Sequence, residues 1–263
     1  MPSFSVRPPL CPPPAGCMKR LHVVAAEAMG LPLLPPYLDG WRVGELRKGV
    51  NFAVAGATAM DNEFFEEKGI TTGSTNSSLR FQIRWFQQLL PSLCSSPTGL
   101  PFHSLLRRRL LSPSHIDRAE DYDAIGCLRW LNEFSQYHNG QLHDELRRLQ
   151  AVHPEVVIIY ADYYRAMMNI FSNPDGFGIK ERFLACCGGG GPYNYNSSRP
   201  CGSEGQTVCD DTWTYLHWDG LHMTEATYGI VSVGLLQGPF ATPAIATTCP
   251  ATRFSLTHPS SSS

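Results

Sequence analysis

The spacing of apolar residues along the chain predicts three amphipathic helices. The first runs through Leu21–Gly30, with Gly30 standing where a helix C-terminal cap belongs. The second covers Leu79–Leu90 and should end before Pro91, because proline disrupts a helix interior. The third covers Cys127–Leu149. Its apolar positions are Leu131, Phe134, Leu142, Leu146 and Leu149.

Two other segments have the composition of buried strands. Asn51–Ala55 lies between glycines and is rich in apolar residues, and Val156–Tyr160 follows the long helix after a proline. Helices that flank continuous apolar strands predict an α/β fold with a parallel sheet. Within Leu100–Tyr122, three consecutive arginines and Pro113 interrupt the apolar pattern, so we expect no further strand there.

The two ends of the chain differ in composition from its middle. Residues 1–20 are rich in proline and residues 247–263 end in a run of serines, which predicts a disordered leader and tail around one domain at 21–246. The leader lacks the apolar run of a secretory signal, and nothing in the chain approaches the length of a membrane span.

Charge and cysteine content narrow the possible partners and compartment. The 21 Lys and Arg residues are nearly balanced by 23 Asp and Glu residues, so no strong field favours nucleic acid or an anionic membrane. Nine cysteines are typical of an oxidising compartment, although the missing signal leaves the localisation of this chain open. A small or neutral partner is therefore expected.

The best chemical motif is the pair Asp219 and His222, placed just before a helix that should begin near Thr224. A carboxylate three residues before an imidazole on a turn can accept the Nδ1 proton and leave Nε2 as a general base. The motif by itself is short, and its structural alternative is a surface turn with a local hydrogen bond.

Longer blocks resemble a known enzyme family. Gly49–Asp61, Cys186–Asn196 and Trp218–Tyr228 are similar, in this order, to blocks of the plant GDSL (SGNH) esterases and lipases. The resemblance covers roughly Leu21 to Pro243 and implies a hydrolase of carboxylic esters that belongs to a secreted family. It also implies a three-layer, flavodoxin-like SGNH fold that needs no metal or cofactor.

The resemblance also assigns roles to individual residues. It makes His222 the general base and Asp219 the residue that orients it, while Gly56 would donate its N–H to the oxyanion. The family's Gly-Asp-Ser nucleophile block and its Gly-Asn-Asp block occur nowhere in this sequence, so the serine and asparagine of the site have no counterpart.

These departures predict an incomplete, truncated form of the fold. In a sheet of order 2-1-3-4-5, the two recognisable strands would be the two edges, and the central strands would be missing. Unpaired edges and uncovered helices would then make the product weakly stable. A spliced or wrongly predicted reading of a longer gene would explain such a sequence.

Three other chemistries are weaker. Ser74, Ser77 and Ser78 lie in a polar loop without the sharp elbow that exposes a nucleophilic serine. The glycine run 188–191 is not followed by the Lys-Ser or Lys-Thr of a phosphate loop, so a flexible loop is expected. A third possibility is zinc bound by four cysteines with His217 nearby, for which a disulfide such as Cys201 to Cys209 is the simpler interpretation. The four are Cys186, Cys187, Cys201 and Cys209.

Two functional hypotheses remain. One is a Ser-His-Asp hydrolase of small lipid or phenolic esters, impaired in this chain because the serine and asparagine are absent. The other is a non-catalytic remnant with at most a binding role. Oligomeric state cannot be read from the sequence.

Overall fold

A computed structural model describes residues 21–39, 49–54, 57–58, 60–67, 69, 75–93, 100–103 and 119–248. The helices are α1 (Leu21–Ala28), α2 (Asn62–Glu66), α3 (Leu79–Leu93), α4 (Arg129–Val152), α5 (Tyr163–Ser172), α6 (Glu225–Leu236) and α7 (Ile245–Thr248). The strands are β1 (Leu100–His103), β2 (Ile158–Ala161), β3 (Glu181–Ala185), β4 (Cys187–Gly188), β5 (Thr207–Val208), β6 (Tyr215–His217) and β7 (Ala241–Thr242).

The main sheet of the described residues has three strands in the order β1-β2-β7. β1 pairs with β2 in parallel, with Leu100 opposite Ile158, and β7 pairs with β2 in the antiparallel sense. Two smaller sheets pair β3 with β6 and β4 with β5. The combination of helices and sheets confirms the α/β fold class.

Helices cover both faces of β2, which is the three-layer arrangement. Ile158 packs in a cluster with Phe86 of α3 and Leu146 of α4. Its neighbour Ile159 is 2% exposed and packs on the opposite face, in a cluster with Ala25 of α1 and Leu236 of α6. Successive side chains of a strand point to opposite faces, so one apolar strand requires both helical layers.

The prediction that residues 100–122 contain no strand is wrong. Leu100–His103 forms β1 and gives β2 a neighbour on one side, while β7 lies on the other. β2 is therefore an interior strand and not the sheet edge that the sequence predicted. The arginine step and Pro113 that argued against a strand lie outside the described residues.

The strand predicted at Asn51–Ala55 is also wrong for the residues described. Only Asn51 joins a ladder, accepting from the Tyr37 N–H and donating to the carbonyl of Pro35. The ladder ends because the Asn51 Oδ1 accepts the Ala53 N–H at 2.9 Å and the partner segment turns into a 3-10 helix at Tyr37–Asp39. Ala55 lies outside the described residues.

The helix predictions are largely confirmed, with differences at their ends. α1 closes on Gly30, whose φ is +63°, and the Leu31 N–H bonds the carbonyl of Ala26 at 2.9 Å. α3 continues past Pro91 but ends at Leu93, so the proline lies in the last turn, where it disrupts little of the helix. On α4, Phe134 is 38% exposed and does not lie on the buried side, unlike Leu142, Leu146 and Leu149.

The leader lies outside the described residues, as does the tail beyond Thr248. α7 extends two residues into the segment that the sequence assigns to the tail, so Thr247 and Thr248 are helical.

Candidate functional site

The candidate site is the turn between β6 and α6, and its frame is a set of backbone hydrogen bonds. Leu216 of β6 is fully buried and accepts from the Thr224 N–H at 3.1 Å. Inside this closure, the Trp218 N–H donates to the carbonyl of His222 at 2.8 Å. The segment that carries Asp219 and His222 is therefore held at both ends.

Thr224 fixes the start of α6. It is the N-cap residue, and its Oγ1 accepts from the Thr227 N–H at 3.2 Å and donates to the carbonyl of Tyr215 at 2.7 Å. One hydroxyl thus caps the helix and ties it to β6. The predicted helix start near Thr224 is confirmed.

The carboxylate of Asp219 accepts three hydrogen bonds from its own turn. Oδ1 accepts from the backbone N–H groups of Leu221 at 2.9 Å and His222 at 2.7 Å. Oδ2 lies 2.7 Å from Nδ1 of the His222 ring. Burial by itself raises the pKa of Asp219, but these hydrogen bonds and the facing imidazole outweigh it and hold the pKa below the ordinary aspartate value.

The other ring nitrogen of His222 has a different environment. Nε2 is buried and has no hydrogen-bond partner among the described residues. The side chains of Asp219 and His222 are each 19% exposed, so water competes little for their contact. A carboxylate on Nδ1 selects the tautomer that carries its proton there, and this tautomer leaves the Nε2 lone pair available to accept a proton.

A neighbouring loop supports the turn from the side. The Cys186 N–H donates to the carbonyl of His217 at 3.0 Å, and the Cys187 N–H donates to that of Trp218 at 2.6 Å. The ring of Tyr195, from the same loop, packs against Gly220 between the two site residues.

Two disulfides anchor this loop, and they correct the predicted pairing. Cys186 is bonded to Cys209 and Cys187 to Cys201, so the predicted bond between Cys201 and Cys209 is wrong. All four cysteines that were considered as zinc ligands are therefore in disulfides. A disulfide sulfur is not a thiolate, so these residues cannot bind zinc in this form.

The glycine run 188–191 forms a loop held by hydrogen bonds and not the flexible segment that was expected. Asn194 holds it, because Oδ1 accepts from the Gly190 N–H at 3.0 Å and Nδ2 donates to the carbonyl of Ala185 at 2.9 Å. Asn194 has a φ of +54°, which asparagine tolerates better than most residues. Sequence reasoning assigned no role to Asn194 and Tyr195, although both lie in the block Cys186–Asn196 that carries the resemblance.

The remaining candidates do not meet His222. Gly56 and Ser74 lie outside the described residues. Ser78 is 2% exposed, and its hydroxyl is hydrogen bonded to Asp61 just before α3. Among the described residues, no serine hydroxyl bonds Nε2 of His222. The structure therefore brings Asp219 and His222 together, and no described serine hydroxyl joins them.

Neither a metal cluster nor a membrane helix is found in the part of the chain that the structure describes. No group of three or more His, Cys, Asp or Glu side chains within it could hold a metal ion. No helix in that part is both long and apolar enough to cross a bilayer.

The chain is similar to plant ester hydrolases. A GDSL esterase/lipase from Arabidopsis thaliana is 39% identical over 288 aligned positions, which cover 85% of this chain and 71% of the relative. A second one from the same plant is 37% identical over 287 positions, covering 85% and 75%. Sinapine esterase from Brassica napus is 36% identical over 289 positions, covering 85% and 74%. No family model matches the chain, and no solved structure matches it significantly.

Proposed function

Because this chain belongs to the GDSL esterase/lipase family, we propose that His222 is its general base for ester hydrolysis and Asp219 the carboxylate that orients this base. One observation carries the proposal. The Asp219 Oδ2 lies 2.7 Å from Nδ1 of His222, while Nε2 is buried and has no hydrogen-bond partner among the described residues. A general base needs this combination of a fixed ring and an available lone pair.

The mechanism is acyl transfer through a serine. Nε2 of His222 takes the hydroxyl proton as the serine oxygen attacks the ester carbonyl carbon, and the N–H of Gly56 donates to the oxyanion that forms. His222 then returns the proton to the leaving alcohol, and a water activated by the same nitrogen releases the acid. Asp219 stabilises the imidazolium in both steps without taking its proton.

The hydroxyl of this mechanism has no counterpart in the sequence, so the activity of this chain by itself is impaired. No Gly-Asp-Ser or Gly-Asn-Asp block occurs in its 263 residues. The alignment with the first relative spans 288 positions, more than the whole chain contains, so that relative carries internal residues that this chain lacks. This difference supports a truncated form of the family.

Small lipid or phenolic esters are the proposed substrate class. The family hydrolyses esters, and one relative is named a sinapine esterase. The near balance of 21 basic and 23 acidic residues fits a small or neutral substrate and provides no field that would attract a polyanion.

The second candidate is a non-catalytic remnant with a binding role. The serines of the described residues favour this second candidate. The buried Ser78 hydroxyl is hydrogen bonded to Asp61, and no described hydroxyl bonds Nε2 of His222. Under this alternative the Asp219–His222 pair is a structural element of the turn.

Hydrolysis of a p-nitrophenyl short-chain ester by the purified chain separates the two candidates. If His222 is the base, His222→Ala should lower kcat/KM by roughly 100-fold or more. His153→Ala, at the C-terminal cap of α4, is the matched control and should retain the rate. Equal rates in the wild-type chain and His222→Ala would eliminate the assigned base, and an inactive wild-type chain would favour the remnant.

A further inference from the structure

The loop beside the candidate site contains an acceptor sequence for a sugar. Asn196-Ser197-Ser198 has the Asn-x-Ser pattern of N-linked glycosylation, with no proline at the middle position. We propose that Asn196 is a glycosylation site that carries an N-linked oligosaccharide. This proposal concerns a modification of the chain and does not depend on ester hydrolysis.

Asn196 is half-buried in the folded chain, and its side-chain amide is held in one orientation. Oδ1 accepts from the Ser198 N–H at 2.9 Å, which orients the amide group. Nδ2, the atom that would be modified, is not among the buried polar atoms without a partner and makes no hydrogen bond to the described residues. Ser197 and Ser198 are both exposed. The serine of the acceptor sequence therefore lies at the surface, and no hydrogen bond to the described residues competes for the acceptor nitrogen.

Hydrogen bonds and packing hold the residues on both sides of Asn196 in place. The Arg199 N–H donates to the carbonyl of Asn196 at 3.1 Å, and the Arg199 side chain donates to that of Gly189 at 2.6 Å. On the other side, the ring of Tyr195 packs against Gly220. Residues on both sides of the acceptor asparagine are therefore anchored within the protein.

The disulfides indicate the compartment in which such a transfer occurs. Cys187–Cys201 closes a loop that contains the whole acceptor sequence, and Cys186–Cys209 encloses the same segment. Disulfides form and persist in the oxidising environment of the secretory route, where N-linked oligosaccharides are also attached. The disulfides of this loop are therefore typical of the compartment that the proposal requires.

The transfer is a substitution at a sugar carbon. Nδ2 of Asn196 attacks the anomeric carbon of an oligosaccharide linked to a lipid pyrophosphate. The N–C bond forms, the bond from that carbon to the pyrophosphate oxygen breaks, and the lipid pyrophosphate leaves with the electron pair. Nδ2 gives one proton to a base of the transferase, so no oxidant or reductant is required.

A second acceptor sequence, Asn76-Ser77-Ser78, provides an internal comparison. The Ser78 side chain is 2% exposed and its hydroxyl is bonded to Asp61. The Asn76 Oδ1 accepts from Nδ2 of Asn62 at 2.6 Å. The hydroxyl of Ser78 is therefore buried and hydrogen bonded in the folded chain. We expect the transferase to modify Asn196 of the folded protein in preference to Asn76.

The test uses the full chain, folded and with its disulfides intact. It is incubated with a purified single-subunit oligosaccharyltransferase and a lipid-linked oligosaccharide, and intact mass and glycopeptide mapping measure the product. We expect a mass increase of one oligosaccharide on Asn196. Asn196→Gln and Ser198→Ala should abolish it, whereas Asn76→Gln and Ser198→Thr should retain it.

The reduced and denatured chain serves as the control for transferase activity. Transfer to Asn196 in the denatured chain but not in the folded one would overturn the proposal, as would transfer to Asn76 alone. Absence of transfer to Asn196 in both forms would also overturn it, with a separate peptide acceptor showing that the enzyme is active.

Discussion

The ring of Tyr195 occupies the space that a side chain at position 220 would need. A Cβ on Gly220 would lie 2.5 Å from Cδ2 of Tyr195, and the φ of Gly220 is +81°. The glycine stands between Asp219 and His222, so the close packing of loop and turn depends on the absence of a side chain there.

Gly220→Ala should therefore destabilise the protein by about 1–3 kcal/mol, the usual cost of holding a residue other than glycine at positive φ, with the contact to Tyr195 adding to it. Denaturant unfolding measures the effect. Gly140→Ala is the matched control, because Gly140 lies inside α4 with open space around its Cβ position. It should leave stability unchanged or raise it by up to about 1 kcal/mol.

Asp219→Asn should cost about 1–3 kcal/mol near neutral pH, because it removes the charge from a carboxylate that accepts three hydrogen bonds. The folded pKa of Asp219 lies below the ordinary value of 3.8, so its stabilising contribution is complete above 3.8 and is lost as pH falls through the folded pKa. Unfolding curves of both proteins over this range check the sign.

The stability difference should be constant above pH 3.8 and shrink below it. A stability difference between the wild type and Asp219→Asn that stays the same in strong acid would contradict the lowered pKa of Asp219. Asp210→Asn, at an exposed aspartate, is the control and should change stability little at any pH.

Thiol labelling of single cysteine variants should distinguish the observed disulfides from the predicted one. Cys186→Ser should leave Cys209 as the newly reactive thiol, and Cys187→Ser should leave Cys201. Maleimide labelling followed by peptide mapping identifies the reactive residue. If Cys209 is not labelled in Cys186→Ser and Cys201 is not labelled in Cys187→Ser, the observed connectivity is wrong.

Removing either disulfide through a paired Cys→Ser substitution should cost about 3 kcal/mol, because the chain segments that they close are similar in length. Sequence separations of 23 and 14 residues give nearly the same loop-closure entropy. Denaturant unfolding without reductant measures both variants, and a large difference between them would show that contacts other than loop closure dominate.

Tyr160 should make the protein sensitive to alkali. Burial, followed by the negative charge of Asp162, raises the pKa of Tyr160 to about 12. The positive charge of Arg165 lowers this pKa, but by less than the other two effects raise it. A raised pKa means that its contribution to stability is complete below pH 10 and declines as pH rises through about 12. Tyr160→Phe should reduce this alkaline loss in denaturant unfolding.

Tyr137→Phe is the control, since that residue is 67% exposed. Ultraviolet difference spectroscopy would follow the phenolate directly. Identical alkaline profiles of the wild type and Tyr160→Phe would show that this phenol does not couple to unfolding.

The features predicted correctly are those that local chemistry determines. Gly30 ends α1 because it can take a positive φ, and Thr224 begins α6 because its side chain accepts a helical N–H. Asp219 and His222 meet because three residues on a turn place them within reach. β2 was recognised because its apolar residues face helices on both sides.

The features that were missed depend on partners far along the chain. β1 is four residues long and includes Pro101, so its strand conformation follows from pairing with β2 and not from its own sequence. The opposite error occurred at Asn51–Ala55, where an apolar segment makes only one bridge among the residues that the structure describes. Cysteine pairing was missed because four cysteines allow three connectivities.

The supports of the Asp219–His222 turn are close to it in sequence, whereas those of the main sheet are not. β3 pairs with β6, both disulfides lie between them or at their ends, and α6 follows directly. β1 and β2, in contrast, must join Leu100 to Ile158 across a long intervening segment. Closing short loops costs less entropy and precedes distant pairing. The segment 181–236 should consequently assemble early during folding and stay assembled under conditions that separate β1 from β2.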